Sequence, residues 1–152
     1  MNKLTCVAFK KLTERDIQLP SYATDGAAGM DICACLDAPV TLAPMQRALI
    51  PTGLAISVPE NTAAMLYPRS GLAVKHGITL SNCVGVIDSD YRGEIKIGII
   101  NQSDKVFTIN DGDRIAQIVI TPIIKAKPFF TDSLDETARG SGGFGSTGIS
   151  QN

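Results

Sequence analysis

The sequence predicts an all-β domain, and three observations carry that expectation. No stretch keeps a 3.6-residue apolar period over three turns. Eight prolines and fourteen glycines punctuate the chain. Between them lie short runs rich in β-branched residues, which suit a pleated, half-buried surface. In chain order these runs are LTCVAF (4–9), RALIPTGLAISV (47–58), TAAMLY (62–67), EIKIGII (94–100), KVFTI (105–109) and RIAQIVITPII (114–124). In EIKIGII, Ile95, Ile97 and Ile99 alternate onto one face. FTINDGDRI reads as two strands joined by an Asn-Asp-Gly turn, a hairpin signal. One short helix is expected after Pro68, because RSGLAVKHG has a proline opening and a glycine close. AAGMDICA (27–34) reads as a turn, with Asp31 as its hydrogen-bonded carboxylate. The folded body is placed at 1–130. From Thr131 the segment TDSLDETARGSGGFGSTGISQN is polar and rich in Gly and Ser, so 131–152 reads as a flexible C-terminal arm.

The 152 residues suffice for one domain with a real core. A net charge of −1 and the absence of Trp argue against a general nucleic-acid binder, so any affinity for phosphate must be local. The opening MNKLTCVAFKKL has too short an apolar run for a signal peptide, and no run approaches the ~20 residues of a membrane span. The expectation is a soluble cytoplasmic protein without membrane or nucleic-acid partners. The four cysteines lack zinc or CxxC spacing and are expected to be reduced and mostly buried; Cys33 and Cys35 share one strand face. His76 stands alone, with no Cys or second His at ligand spacing, and reads as structural.

Five short stretches carry candidate chemistry. GVIDSDYRGEI (85–95) holds Asp88 and Asp90 beside Tyr91. It reads either as a hairpin tip or as a pocket in which one Asp is a general base and Tyr91 a wall. YPRSGLA (67–73) gathers the Arg69 guanidinium, the Ser70 hydroxyl and an approachable Gly71 main chain. That set suits phosphate oxygens, or equally a helix start with a solvated Arg. GDRIAQ (112–117) and AGMDI (28–32) are weak alone. RGSGGFGSTG (139–148) half-matches a phosphate loop, but Ser146 stands where Lys is needed and no helix follows.

Together, AGMDI, PRSGLA, GVIDSDYRGEI, GDRIAQ and RGSGGFGSTG, in that order, closely resemble the five motifs of the trimeric dUTPase family, from about Tyr22 to Gly148. The resemblance implies a jelly-roll-like β-barrel of the β-clip type, a homotrimer with active sites shared between subunits, and hydrolysis of dUTP to dUMP and pyrophosphate. Such an enzyme keeps uracil out of DNA and supplies dUMP for dTMP synthesis. Water attacks the α-phosphorus, with Mg²⁺ carried by the triphosphate. Asp88 takes the place of the general base and Asp90 that of its turn partner.

Tyr91 matches the tyrosine that packs on deoxyribose and leaves a 2′-hydroxyl without a partner. Asn82 and the main chain around Cys83–Ile87, including Gly85, Val86 and Ile87, look like the hairpin that reads uracil, and Lys96 lines its far side. Cys83 is expected to act through its backbone, the alternative being a thiol whose alkylation blocks the pocket. Arg69, Ser70, Gly71 and Gln117 would bind the phosphates, and Asp31 would touch the metal only through water. In the arm, Phe144 would stack on uracil and Arg139 would meet the γ-phosphate. Gly145, Ser146 and Thr147 would offer N–H groups and hydroxyls, closing a lid over the nucleotide. One departure is Ile32 in AGMDI, where Leu is usual. Two alternatives share the scaffold: a dCTP deaminase and a non-catalytic dUTP-binding regulatory protein.

Overall fold

A computed structural model describes residues 5–143. Within them the elements run β1 (Ala8–Lys11), β2 (Ser21–Tyr22), β3 (Met30–Cys33), β4 (Val40–Leu42), β5 (Arg47–Ser57), β6 (Thr62–Tyr67), α1 (Ser70–His76), β7 (Ile78–Leu80), β8 (Gly85–Ile87), β9 (Glu94–Asn101), β10 (Phe107–Ile109) and β11 (Arg114–Pro122). Every strand pair is antiparallel. The strands form a four-stranded sheet ordered β1-β5-β9-β7, a five-stranded sheet ordered β2-β3-β11-β6-β8, and the pair β10-β4. The described residues thus pair into three sheets and form an all-β fold with one short helix among them.

Both larger sheets turn apolar side chains onto one core. Ile95, Ile97 and Ile99 come from the first, and Ile32, Leu66 and Ile118 from the second. The alternation read in EIKIGII is therefore real: those isoleucines are at most 2% exposed, while Lys96 between them is exposed. Each such burial contributes about 1.5–3 kcal/mol before entropy is charged against it. α1 starts after Pro68 and stops at Gly77, whose φ of 66° is the left-handed conformation that glycine adopts freely.

Three hairpin readings fail for one reason. The Asn110–Asp113 turn exists, with the Asp113 N–H donating to the Asn110 carbonyl at 3.2 Å. Yet β10 pairs with β4, and β11 pairs with β3 and β6. The turn is held sideways instead. Its Gly112 N–H donates to the Ala34 carbonyl, and the Ala34 N–H donates to the Asp113 carbonyl. The Asp111 carboxylate accepts from the Leu36 N–H at 2.8 Å and from Arg15 at 2.5 Å. Likewise β7 and β8, which flank Asn82, lie in different sheets, as do β8 and β9, which flank Asp88–Gly93. These turns are corners between sheets, not hairpin tips.

The AGMDI stretch, expected as a turn, enters β3. Met30 and Ile32 point inward, and Asp31 stays on the outer face because arginines meet it there. The first strand is displaced to Ala8–Lys11, ending in the exposed lysines of a sheet edge. The four cysteines are free but not buried: Cys6 and Cys83 are exposed, Cys33 and Cys35 half-buried on the face opposite Ile32 and Ala34. His76 rests against Phe107, ring centroids 5.3 Å apart. Among the described residues regular structure ends at Pro122, and residues 123–143 contain no helix or strand.

Asn101 is fully buried and pins the end of β9. Its amide donates to the carbonyls of Leu42 (2.9 Å) and Lys105 (2.7 Å), and its oxygen accepts from the Ser103 N–H and hydroxyl. Asn101→Ala strands several of these groups. The expected cost is about 3 kcal/mol, read as a fall in thermal midpoint of roughly 6–12 °C. A shift under about 2 °C would mean water replaces the amide at no cost.

Candidate active site

The two corner crossings leave an opening between the sheets. A cavity of about 400 Å³ fills it, lined by Leu49, Leu66, Asn82, Gly85, Val86, Ile87, Asp88, Tyr91, Glu94, Ile95 and Lys96. Seven residues picked out in the sequence for the base, sugar and catalytic roles (Asn82, Gly85, Val86, Ile87, Asp88, Tyr91 and Lys96) meet there. That size suits a small organic ligand.

The pocket is built from local choices. Gly85 sits opposite Leu66, and a Cβ there would come within 3.1 Å of that side chain, so glycine keeps the two strands close. β8 is the edge strand of its sheet, so one row of its main-chain N–H and C=O groups has no ladder partner. The preceding corner is tight. The Val84 N–H donates to the Asn82 carbonyl at 2.7 Å, and Cys83 is held at φ 62°. The Cys83 side chain is exposed and does not line the cavity.

Asp88 opens the second corner. Its carbonyl accepts the Tyr91 N–H at 3.2 Å, and Arg92 ties the turn by donating to the carbonyls of Ser89 and Tyr91. Among the described residues the exposed Asp88 carboxylate accepts no protein hydrogen bond. Asp90 is exposed on the same turn and does not line the cavity. Tyr91 folds back over Gly93, where a Cβ would overlap its hydroxyl, and donates to the Glu94 carbonyl at 3.1 Å.

A second cluster lies outside the cavity lining. Asp31 binds the Arg69 Nε at 3.0 Å and the Arg114 guanidinium at 2.9 Å, one through each carboxylate oxygen. Arg69 also donates to the Arg114 carbonyl, and Gln117 donates to the Pro68 carbonyl at 3.0 Å. Sheet register explains the gathering. Gln117 lies opposite both Asp31 and Tyr67, so β3, β11 and β6 present these residues in one row at one end of the sheet. Ser70 and Gly71 are exposed at the start of α1, and a Cβ on Gly71 would meet nothing within 4 Å. Ser70 is the first helical residue; Arg69 holds the N-cap position and makes no side-chain cap. Beside Asp31, burial and then the Asp31 charge raise the Cys33 thiol above its ordinary pKa, which disfavours the thiolate.

Arg69, Ser70, Gly71 and Gln117 are thus brought near one another but not into the cavity of the same chain. Arg139 stands apart from both, donating from Nε to the Gly142 carbonyl at 2.8 Å. Phe144, Gly145, Ser146 and Thr147 lie outside the described residues. The sequence reading missed Glu94, Leu49, Leu66 and Ile95 as pocket walls. Glu94 was legible only as part of a motif, since nothing local says that a strand residue borders a cavity.

Known proteins resemble this chain throughout. A family model described as dUTPase matches residues 15–148. The deoxyuridine 5'-triphosphate nucleotidohydrolase of Hahella chejuensis is 54% identical over 134 residues, 88% of each chain. That of Idiomarina loihiensis is 50% identical over 151 residues, covering 97% of this chain and all of the relative. Among solved structures, a dUTPase variant of Staphylococcus bacteriophage 80alpha with bound dUpNHpp superposes with a TM-score of 0.85 at 27% identity, covering 95% of this chain and 99% of that one. A phage phi11 dUTPase variant, described as revealing the coordination of a structural Mg(II) ion, superposes with a TM-score of 0.76 at 25% identity, covering 86% and 99%.

Proposed function

Because the chain belongs to the dUTPase family, we propose that it hydrolyses dUTP to dUMP and pyrophosphate, with Asp88 as general base. One observation carries the assignment of roles: Asn82, the open edge of β8, Asp88 and Tyr91 line a single cavity. An edge strand offers alternating N–H and C=O groups, the pattern a uracil edge needs for O2, N3 and O4, and the Asn82 amide adds a donor and an acceptor. Cytosine would leave those groups mismatched. Gly85, Leu66 and Ile87 crowd the floor, which disfavours a 5-methyl group. The Tyr91 ring faces the sugar with its hydroxyl already spent on Glu94. A ribose 2′-hydroxyl buried there without a partner would cost about 1–3 kcal/mol.

At the mouth, Asp88 has both carboxylate oxygens available to orient a water and take its proton as that water attacks the α-phosphorus. The proton goes to the carboxylate, the new bond joins water oxygen to phosphorus, and pyrophosphate leaves with the electrons of the broken P–O bond.

The cationic cluster of Arg69 with Ser70, Gly71 and Gln117 does not line the cavity of its own chain. That supports a homotrimer, in a jelly-roll-like barrel fold, whose sites take their phosphate contacts from a neighbouring copy. Arg139, Phe144, Gly145 and Ser146 of the arm would complete the site.

Among the described residues no cluster of three His, Cys, Asp or Glu could hold a metal, and both Asp31 oxygens are engaged by arginines. The ion is expected to bind without a direct protein ligand. Mg²⁺ fits as a passenger of the triphosphate, which usually keeps several waters on the ion, with Asp31 reaching those waters at most. We place the activity in the cytoplasm, acting on free nucleotide to limit uracil in DNA and to supply dUMP.

The test is pyrophosphate release from dUTP, dCTP, dTTP and UTP with Mg²⁺. The expected result is turnover of dUTP at least ~10²-fold faster than of the others, the scale of a site that discriminates by hydrogen bonding. Ammonia release from dCTP would overturn it, as would tight dUTP binding without product.

A further inference from the structure

Glu94 has no role in the assignments above, yet three contacts meet on it. Its carbonyl accepts the Tyr91 hydroxyl at 3.1 Å. Its Oε1 accepts the Gly53 N–H at 3.0 Å. Its Oε2 lies 3.4 Å from the Lys96 Nζ. The Gly53 contact comes from an irregularity in β5: between Pro51 and Ala55 that strand carries extra residues against Lys96 and Glu94 of β9. Gly53 sits there at φ 67°, where a side chain would be strained and a Cβ would come within 3.0–3.2 Å of Thr13, Cys35 and Ile17. The bulge therefore aims a main-chain donor at the carboxylate and holds it in place.

A fixed carboxylate in a pocket for a polyanion needs a reason. Lys96 provides one. Both residues line the cavity beside Asn82 and β8. An unpaired ammonium on that wall would draw a triphosphate to the end meant for the neutral base. Glu94 cancels that charge. We propose that Glu94 is a positioning residue that sets nucleotide orientation: by neutralising Lys96 it keeps the base pocket unattractive to phosphate, so that dUTP enters base first. The inference rests on the dUTP reading.

The full chain and its Glu94→Gln, Lys96→Gln and doubly substituted variants test it, with inorganic tripolyphosphate as the probe. Calorimetry should find tripolyphosphate bound about threefold tighter by Glu94→Gln, the scale of a partly exposed ion pair. Adding Lys96→Gln should return binding to the wild-type value. In turnover of dUTP, Glu94→Gln should lower kcat and KM by a common factor and leave kcat/KM nearly unchanged, the signature of a competing nonproductive mode. Mere damage to the pocket would lower kcat/KM instead. Glu94→Asp, too short to reach both partners, serves with the same expected sign if the Gln variant does not fold. Unchanged tripolyphosphate binding, or tightening that survives loss of Lys96, would overturn the inference. Failure of the wild-type chain to form dUMP would overturn the dUTP reading instead, and calorimetry would still decide the role of Glu94.

Discussion

Asp88→Asn is expected to lower kcat for dUTP by about 10²–10⁴-fold, the range of a positioned general base, while a nonhydrolysable dUTP analogue still binds within a few-fold of wild type. The structure makes this a clean substitution. Tyr91 donates to the Asp88 carbonyl, not to its side chain, so the corner keeps its hydrogen bond. Among the described residues the carboxylate has no protein partner to orphan, and it is exposed, so folding should be unaffected. Asn keeps the size and can orient a water through its oxygen, but it cannot take the proton. Single-turnover product formation beside equilibrium binding separates the two effects. Rapid hydrolysis by the Asn variant would remove Asp88 from the role and leave the neighbouring Asp90, on the same turn, as the next carboxylate to examine.

Truncation before Arg139 is the second large effect: a folded body with turnover reduced on the order of 10²-fold, the scale of losing preorganised donors around a transferring phosphate. The expectation of intact folding comes from packing. Ile124, Phe129 and Leu134, in the segment leading to the cut, are 96%, 83% and 86% exposed, so the chain has left the core well before Arg139. The Arg139 side chain hydrogen-bonds to Gly142, within the piece removed. Thermal midpoints should therefore differ by no more than a surface substitution would cause, within about 0.5 kcal/mol. The loss should appear in kcat, because a closing arm contributes most when charge moves on the phosphates and water must be kept out. A truncated enzyme with wild-type kcat would reduce the glycine-rich stretch to a terminal tail.

What the sequence determined by itself is whatever depends on near neighbours. The alternation of Ile95, Ile97 and Ile99 predicts β9 because side chains alternate faces along any strand. Pro68 and Gly77 bracket α1 because each acts on its own backbone angles. The motif around Asp88 and Tyr91 was legible as a set of residue types, and the family resemblance gave those types their roles. Partnership was not legible. The turns at Asn82, Asp88 and Asp111 look like hairpin tips in the chain, and each proves to be a corner between sheets. Which strand a neighbour pairs with is decided by hydrogen bonds to residues far away in sequence, as when the Ala34 main chain captures the turn at Gly112 and Asp113. The strand Met30–Cys33 reads as a turn except at its Cys33 end, and Gly85–Ile87 goes unmarked, for the same reason. Asp31 tolerates a strand because Arg69 and Arg114 arrive from elsewhere to meet it. The cavity itself belongs to this second class. Leu49, Leu66 and Glu94 become its walls only when β5, β6, β8 and β9 are brought together, and the Glu94 carboxylate is aimed by a bulge at Gly53, forty-one residues away along the chain. Local propensity acts over a few residues; a pocket between two sheets is a long-range object, and only the tertiary fold could decide it.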